Sequence, residues 1–574
     1  MSKSSYSFNT VPTIHMPRSV FDLSHPQLTS QTVGRLQPHL VQEVLPGDTF
    51  IIDTDTVCKV SSAFLKPPAG SLYYEEYYFF VPSRLCMKDW SNVVGLDADP
   101  DSWTAPEQVT VPMVTGIPKD KTVADFMRIP KRNVSVKVSV LPFRAFALVY
   151  DVWFRNQNVI DKMLIADGDV LNTYETAGLN NNGWTVSNYL GKCPSVGKYK
   201  DLFTSCLPSP QKGEAVGLPI GIPDQHLAVY GNNATQDHTY NWSNWSNGAR
   251  LQLKTNLDSS LKGGYFGQFN ESAPPPDNAY KAPTLSVFSS GTGFESDLSD
   301  ANVGNVGSVI GTNLYVPGVD TANFTVNDLR TAFAMQRSLE KLARVGSRYQ
   351  EILNGIWGVN SPDARLQRPE YLAGKKTLIN FQQVAQTSNV QNQTAPTASL
   401  TAYSNTLART SVKKTFVEHG FIIGVSCIRQ KHIYQQGLER FWTRSSKNDF
   451  YEPSFAHIGE QPVYQNELFY VSNTNENIFG YQEAWYDYRQ RSGAVTGEMS
   501  SLATNTLDIW HFGDLYASQP VLSKEFVEEV PTYVDRTLAV SSTKQDQFII
   551  DSYFNIKAIR RLPPRSIPGL IDHY

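Results

Sequence analysis

The chain has 574 residues, which is longer than a usual single domain, so we expect two or more domains or one domain that carries large insertions. Charged residues make up 18% of the chain and aromatic residues 12%, a balance typical of β proteins with long loops and not of helix-rich enzymes. The formal net charge of −4 argues against a protein that coats nucleic acid over its whole surface, but it does not exclude a local basic face.

The cysteines and the amino terminus argue against zinc and redox proteins, secreted proteins and membrane-spanning proteins. The five cysteines are scattered and form no Cys-x-x-Cys pair, so neither a zinc site nor a redox site is predicted. The first ten residues contain no apolar signal-peptide core, and no window approaches about 18 consecutive apolar residues. We therefore expect a chain that folds in a cytoplasm and does not span a membrane.

The first 161 residues contain an arm and then the first strands. Residues 1–40 are polar and irregular, which predicts an extended arm that is ordered by lying on another surface. Residues 42–53 predict a strand, a tight Pro-Gly-Asp turn and a second strand. Residues 133–142 alternate valine with polar residues, as a half-solvated strand does, and Pro142 is placed to begin a helix.

Residues 71–85 are dense in aromatic side chains around two adjacent glutamates. We expect a core strand that is buried on both faces at one end and exposed at its middle, where Glu75 and Glu76 lie. Neighbours in a strand point to opposite faces, so these carboxylates cannot share a catalytic site.

Residues 162–324 differ in character from the rest of the chain. Glycine, asparagine, serine and proline are frequent there and no periodicity is visible, which predicts a large insertion held together by contacts with partners or with copies of itself. Trp242 and Trp245 lie among polar residues in this insertion. They either contact a partner or fill the insertion's own small core.

A long amphipathic helix is predicted to begin at about Thr325, where Asp328 completes a capping box, and to continue for roughly 28 residues. The polar, proline-containing segment 361–372 follows it. We predict that this segment is an arm that docks on a neighbouring subunit through its charged residues Asp363, Arg365, Arg368 and Glu370.

Residues 411–437 predict one long strand that is apolar from Phe421 to Ile428. His419 and His432 flank this strand, but no carboxylate or cysteine lies at ligand spacing, so a metal site is not favoured.

Several of these stretches resemble the major capsid proteins of microviruses, and of gokushoviruses in particular. The resemblance is carried, in one order, by residues 42–53, 141–161, 342–372, 449–464, 479–499, 506–514, 535–540 and 566–574. It implies a mainly β fold, an eight-stranded antiparallel jelly roll of the viral capsid type, with long loop insertions and a few helices. The core would comprise residues 41–161 and 325–574, with a carboxyl-terminal arm at its end.

The resemblance also implies a function. The chain would be a structural protein and not an enzyme, without a cofactor, that self-assembles into a small T=1 icosahedral shell around circular single-stranded DNA. The insertion would protrude at the threefold axes toward a receptor on the bacterial host. A minor pilot protein for DNA entry and a small internal DNA-binding protein would be further partners, and the virion would assemble in the host cytoplasm.

Two basic segments are candidates for contact with the genome on the inner face of the shell. They contain Arg128, Lys131 and Arg132 in one segment, and Arg560, Arg561 and Arg565 in the other. Salt bridges between subunits are an equally good explanation for these six residues.

A β-rich carbohydrate-binding protein or glycosidase is the alternative from another class. No Gly-x-Ser-x-Gly, His-Glu-x-x-His or Walker motif is present, but glycosidases need only two carboxylates, whose separation cannot be read from spacing. The tryptophans fit this alternative, whereas the docking arms do not.

Overall fold

The computed structural model describes residues 17–95, 110–165, 178–180, 182–214, 230–231, 251–255, 264–266, 285–288, 295–297, 309–312, 314–315, 326–345, 351–352, 354–355, 362, 367–387, 398–474 and 477–565. The chain forms two compact units. The first comprises Met1–Glu214 and Arg337–Tyr574, and the second comprises Ala215–Gln336.

The described strands are, in chain order, β1 (Ser19–Asp22), β2 (His25–Gln31), β3 (Gln37–Val44), β4 (Thr49–Val60), β5 (Leu72–Pro82), β6 (Met113–Gly116), β7 (Val136–Ser139), β8 (Tyr230–Gly231), β9 (Leu251–Thr255), β10 (Gly264–Phe266), β11 (Leu285–Phe288), β12 (Glu295–Asp297), β13 (Val309–Thr312), β14 (Leu314–Tyr315), β15 (Glu370–Leu378), β16 (Phe381–Ala385), β17 (Leu400–Thr415), β18 (Gly420–Gln430), β19 (Gln461–Tyr464), β20 (Ile478–Gln482) and β21 (Phe548–Arg560).

The described α-helices are α1 (Ser83–Cys86), α2 (Trp90–Gly95), α3 (Val123–Phe126), α4 (Leu141–Val149), α5 (Val326–Val345), α6 (Lys524–Val527) and α7 (Thr532–Asp535). A π-helical turn, Tyr150–Phe154, continues α4. Short 3-10 turns lie at Gly178–Asn180, Arg440–Thr443, Lys447–Asp449, Pro453–Phe455, Gln465–Glu467, Tyr486–Tyr488, Gly497–Met499 and Asp508–Trp510. Among these described helices, none combines the length and the apolar character needed to cross a membrane.

The first unit is built on two antiparallel sheets. One sheet has the order β1-β21-β4-β17-β16, with β2 also paired to β21, and the other has the order β15-β5-β18-β3. The chain changes sheet between β2 and β3, β3 and β4, β4 and β5, β15 and β16, and β17 and β18. This mainly β architecture, in which the chain passes repeatedly between two sheets, is consistent with the expected capsid jelly roll.

The core between the two sheets follows from the alternation of side chains along each strand. In β21, every second residue from Phe548 to Ala558 is buried. Phe554 and Ile556 of this strand share one apolar cluster with Tyr78 of β5 and Ile422 of β18, which belong to the opposite sheet. The two sheets therefore pack face to face.

The four-stranded sheet is also covered on its second face. Phe79 of β5 and Val425 of β18 pack with Phe143 and Phe146 of α4, in which Pro142 lies in the first turn, as predicted. The prediction that β5 is exposed at its middle is wrong, because both faces are covered and leave Glu75 0% and Glu76 1% exposed. Glu76 lies between the two sheets beside His39 and Tyr78. The two carboxylates do point to opposite faces, as the strand geometry requires.

Two further expectations differ from the structure. The segment 411–437 is not one strand, because β17 ends at Thr415 and the chain enters the opposite sheet at Gly420. From Ser19, the expected amino-terminal arm lies on the chain's own sheet, since β1 and β2 pair with β21 of the same chain. The remaining boundary predictions stay predictions.

The second unit contains seven short strands, β8 to β14, within the described residues. Five of them form one antiparallel sheet in the order β12-β11-β10-β9-β13. The unit begins at Ala215, later than the predicted insertion start at residue 162, because segments such as 189–203 are part of the first unit. Tyr189, Leu190 and Phe203 lie in its apolar clusters.

Candidate assembly and genome-contact sites

The turn between β3 and β4 determines what Arg560 does. Asp48 is 1% exposed, and its Oδ2 accepts hydrogen bonds from the Leu45 backbone N–H at 3.0 Å and from Arg560 Nε at 2.9 Å. Arg560 Nη2 also donates to the carbonyl oxygen of Glu43 at 2.8 Å. The Arg560 guanidinium therefore holds this turn on its own chain. Arg561 and Arg565, in contrast, are exposed.

The other predicted basic segment is also partly committed to internal contacts. Arg128 donates from Nη2 to Gln27 Oε1 at 2.9 Å, while Lys131 Nζ lies 3.1 Å from Asp125 and 3.2 Å from Asp120. Hydrogen bonding to Asp125 raises the pKa of Lys131, and the positive charge of the ammonium is balanced by the Asp125 and Asp120 carboxylates. The backbone at Arg128 has φ 68° and closes the last turn of α3, a position that glycine usually occupies.

The structure does not bring the two basic segments together in one subunit. Gln27, the contact of Arg128, pairs with Ser552, whereas Ser19 pairs with Arg560 at the other end of β21. At about 3.4 Å per residue, these points lie roughly 27 Å apart along the same sheet edge. Within the described chain, Arg132 is exposed and forms no ion pair.

Two of the four predicted arm residues fall within the described chain, and both contact their own subunit. The Arg368 guanidinium stacks over the Trp153 ring, 4.6 Å from its centroid. Glu370 Oε1 accepts from Lys414 Nζ at 2.7 Å. Asp363 and Arg365 lie outside the described residues, as do the insertion residues Trp242 and Trp245.

A buried ionic network around Glu75 was not predicted from the sequence. Glu75 Oε2 accepts hydrogen bonds from Arg429 Nε at 2.9 Å and from the Tyr77 hydroxyl at 3.1 Å. The Tyr199 hydroxyl donates to the other oxygen, and Lys376 Nζ lies 4.0 Å away. Glutamates inside an aromatic strand were the available signal, because a buried carboxylate requires such partners.

A second buried network surrounds His432. In the sequence, no carboxylate lies at metal-ligand spacing from this residue. His432 Nδ1 lies 2.7 Å from Asp514 and Nε2 lies 3.0 Å from Glu529, while Lys198 Nζ lies 3.0 Å from Asp514. Burial alone would lower the pKa of His432, but the charges of Glu529 and Asp514 outweigh it and raise the pKa to about 9. The charged imidazole of His432 therefore connects the end of β18 to the segments that contain Asp514 and Glu529.

Neither network forms an evident catalytic or metal centre. Among the described residues, no group of three or more histidine, cysteine, aspartate or glutamate side chains is arranged to hold a metal ion. The carboxylates of both networks are already bound to arginine, lysine, histidine or tyrosine side chains. Their arrangement cross-links strands and loops of the first unit.

Comparison with known proteins decides the family. Residues 9–570 match the family model described as capsid protein (F protein). Capsid protein VP1 of Chlamydia phage 1 is 34% identical over 594 residues, covering 98% of this chain and 97% of that protein. Capsid protein VP1 of Spiroplasma virus 4 is 34% identical over 565 residues, covering 97% of this chain and 96% of that protein. The chain belongs to the phage capsid F-protein family.

A third relative, capsid protein VP1 of Bdellovibrio phage phiMH2K, is 31% identical over 580 residues and covers 99% of this chain and 98% of that protein. The predicted resemblance to microvirus capsid proteins is thus confirmed. The capsid protein is a structural protein and not an enzyme, which decides against the glycosidase alternative. It self-assembles into a shell and is a component of the virion.

The capsid protein carries a cluster of exposed aromatic side chains on one side of the first unit. We define this aromatic surface as Phe441, Trp442, Phe450, Tyr451, Phe455 and Tyr488. Trp442 is 68% exposed, and its ring lies 4.7 Å from that of Phe441. Arg444 joins the parts of the surface, because its guanidinium stacks over the Phe450 and Tyr488 rings. Exposed apolar patches of this kind mark contact sites between proteins.

Proposed function

We propose that sixty copies of this capsid protein form a T=1 icosahedral shell that encloses a circular single-stranded DNA genome. The observation that carries the proposal is the family match over residues 9–570, which spans almost the entire chain. The two face-to-face antiparallel sheets support it, because long loops between such strands supply contacts between subunits in capsids.

Contacts between copies involve the aromatic surface and the arm that contains Asp363, Arg365, Arg368 and Glu370. The internal contacts of Arg368 with Trp153 and of Glu370 with Lys414 support an arm whose base is fixed on its own subunit. Its remaining residues then dock on a neighbour. Because Trp442 is 68% exposed, a second copy that covers it gains apolar burial.

Genome contact is made by side chains that the subunit leaves exposed, and it does not read sequence. Five of the six predicted residues are exposed and Arg560 is half-buried. Lys131 and Arg560 are engaged by carboxylates of the same chain, and Arg128 donates a hydrogen bond to Gln27, which leaves Arg132, Arg561 and Arg565. A small internal DNA-binding protein and a minor pilot protein for DNA entry complete the particle. Assembly takes place in the cytoplasm of the bacterial host.

The insertion attaches the particle to a receptor on the host surface. Its composition supports this role, since long polar loops on a rigid scaffold often carry binding residues. Trp242 and Trp245 are the residues we assign to this contact. Their replacement by serine should leave shell yield unchanged and reduce adsorption of particles to cells.

The test of the shell is to purify the chain alone and from infected cells, and to examine both by size-exclusion chromatography and negative-stain electron microscopy. Uniform small shells that contain nuclease-protected single-stranded DNA are expected from infected cells. Particles whose protected nucleic acid is double-stranded, or a chain that stays monomeric in infected cells, would overturn the proposal.

A further inference from the structure

The turn that joins β3 to β4 contains a half-buried glycine, Gly47, whose N–H donates to the Phe416 carbonyl oxygen at 2.8 Å. The Asp48 N–H donates to the Leu45 carbonyl at 3.0 Å, with Pro46 and Gly47 between them, and Gly47 has φ +88°. Pro-Gly at these positions is the signature of a type II turn. A side chain at Gly47 would be strained, so no side chain of its own covers the backbone at this point.

Two exposed arginines, Arg18 just before β1 and Arg561 just after β21, converge on this glycine. A Cβ atom placed on Gly47 would lie 3.6 Å from Arg18 Nη2 and 3.9 Å from Arg561 Nε. The two nitrogens are therefore separated by no more than the sum of these distances. A phosphate group that accepts charge-assisted hydrogen bonds of about 2.8 Å on two of its oxygens bridges such a gap.

Neither arginine has an ion-pair partner among the described residues. The nearby buried carboxylate, Asp48, is already paired with another arginine. Asp48 forms its ion pair with Arg560 at 2.9 Å. Asp22 pairs with Lys557 across β1 and β21, and hydrogen bonds from Ser24 together with the charge of Lys557 lower the pKa of the Asp22 carboxyl. The positive charge of the two guanidiniums is thus directed to solvent.

The same end of the six-stranded sheet carries two further cations on its open face. Lys557 of β21 and Lys413 of β17 both pair with Ile51 of β4, one on each side, and both lysines are exposed. Adjacent strands are about 4.8 Å apart, so the lysines lie roughly 10 Å from each other. We define the Gly47 surface as Arg18, Gly47, Lys413, Lys557 and Arg561.

We propose that the Gly47 surface binds the sugar–phosphate backbone of the packaged single-stranded DNA, with Arg18 and Arg561 clamping one phosphate and Lys413 and Lys557 neutralising its neighbours. This inference rests on the proposed enclosure of single-stranded DNA. Four exposed cations, one of which lies opposite Asp22, in a chain of net charge −4 favour a polyanion over another part of the same protein. An acidic segment of a neighbouring subunit is the competing occupant.

The first experiment measures binding of the full-length, unassembled chain to fluorescein-labelled oligo(dT) at several salt concentrations. The test variant is Arg18→Gln with Arg561→Gln. The matched control is Lys59→Gln with Arg409→Gln, which removes two exposed positive charges from the other half of the same sheet face. A third variant, Arg18→Lys with Arg561→Lys, keeps the charge.

Each phosphate contact contributes about 0.7 to the slope of log K against log salt concentration for single strands. The glutamine test variant loses one clamped phosphate and should therefore lose about 0.7 from the magnitude of that slope, whereas the matched control and the lysine variant should keep it. An unchanged slope in the test variant would overturn the inference, as would an equal loss in the matched control.

The second measurement uses DNA-filled particles of the unchanged protein and does not depend on the folding of a variant. Crosslinking of DNA to protein, followed by mass spectrometry, should yield DNA adducts on peptides that contain Arg18, Lys557 or Arg561. Crosslinks from Lys413 or Lys557 to acidic residues of a neighbouring copy, without DNA adducts, would establish the competing occupant. Particles that protect DNA but lack these adducts would contradict only this inference, whereas particles without DNA would contradict the proposed function as well.

Discussion

Arg429 donates hydrogen bonds from Nε and Nη2 to one oxygen of Glu75, on the neighbouring strand of the four-stranded sheet. Glu75 is 0% exposed, so this ion pair lies inside the fold. Removing one partner of a buried pair costs about 3–5 kcal/mol, because the remaining charge is left without compensation. We expect Arg429→Met to lower the free energy of unfolding of the unassembled subunit by that amount, as measured by urea denaturation.

The same pair predicts non-additivity. Glu75→Gln should cost less than Arg429→Met, because the Arg429 side chain is 17% exposed and can be hydrated. The double variant should then be more stable than the sum of the two single changes indicates. Strict additivity would mean that Tyr77, Tyr199 and Lys376 hold Glu75 without help from the arginine.

The raised pKa of His432 predicts a loss of stability in alkaline solution. The pKa is about 9 in the folded protein and about 6.5 when unfolded. The stabilising contribution is therefore complete below about pH 6.5 and is lost as the pH rises through about 9, by on the order of 3 kcal/mol. Unfolding of the unassembled subunit, followed by urea denaturation from pH 6 to 10, should show this loss.

His432→Gln should remove that pH dependence and lower the stability at pH 6. The matched control is His457→Gln, since His457 is exposed. A His432→Gln variant whose stability falls between pH 6.5 and 9 as steeply as that of the unchanged protein would contradict the assignment.

Arg560 and Arg561 are adjacent in sequence but should respond differently to replacement. Arg560→Gln removes a hydrogen bond to the buried Asp48, which should cost about 1–3 kcal/mol of unfolding free energy. Arg561→Gln changes an exposed side chain and should stay within about 0.5 kcal/mol. Equal losses for the two variants, measured by the same urea titration, would show that the turn does not depend on Arg560.

Gly34 cannot accept a side chain for two separate reasons. Its φ is +82°, and an added Cβ would lie 2.5 Å from the backbone oxygen of Glu529. Gly213 has a similar φ of +87° with nothing within 4 Å, so Gly213→Ala isolates the conformational cost of about 1 kcal/mol. Gly34→Ala should lose clearly more, about 2 kcal/mol or above. Equal losses in thermal and urea unfolding would contradict the close packing at Gly34.

Trp442 should contribute to assembly of the shell and little to the stability of the single subunit. Trp442→Ser should change subunit stability by about 0.5–1 kcal/mol at most, because the ring is 68% exposed and packs mainly on Phe441. Shell yield should fall, as measured by sedimentation of assembled particles. Val417→Ser, which alters an 85% exposed side chain outside the aromatic surface, is the control and should assemble normally.

The sequence predicted correctly the turn and the helix starts whose deciding residues lie close together in the chain. The Pro-Gly-Asp turn before β4 is a type II turn because Gly47 supplies the positive φ. Pro142 lies in the first turn of α4, and the predicted start of the long helix near Thr325 agrees with the start of α5 at Val326. In each case the deciding residues lie within a few positions of one another.

The features that the sequence did not reveal depend on contacts between distant segments. Glu75 appeared to be exposed because its partners Arg429 and Tyr199 lie far along the chain. His432 appeared to lack carboxylates because Asp514 and Glu529 are supplied by later loops. A single sequence contains no signal that pairs such residues before the fold is known.

The mass of intact particles from infected cells, measured by native mass spectrometry after nuclease treatment, tests the central claim most directly. Sixty copies of a 64.1 kDa chain give a protein shell of about 3.8 MDa. We predict particles of at least this mass, with the excess accounted for by single-stranded DNA and minor proteins. A uniform population whose protein mass corresponds to a different copy number would contradict the T=1 shell.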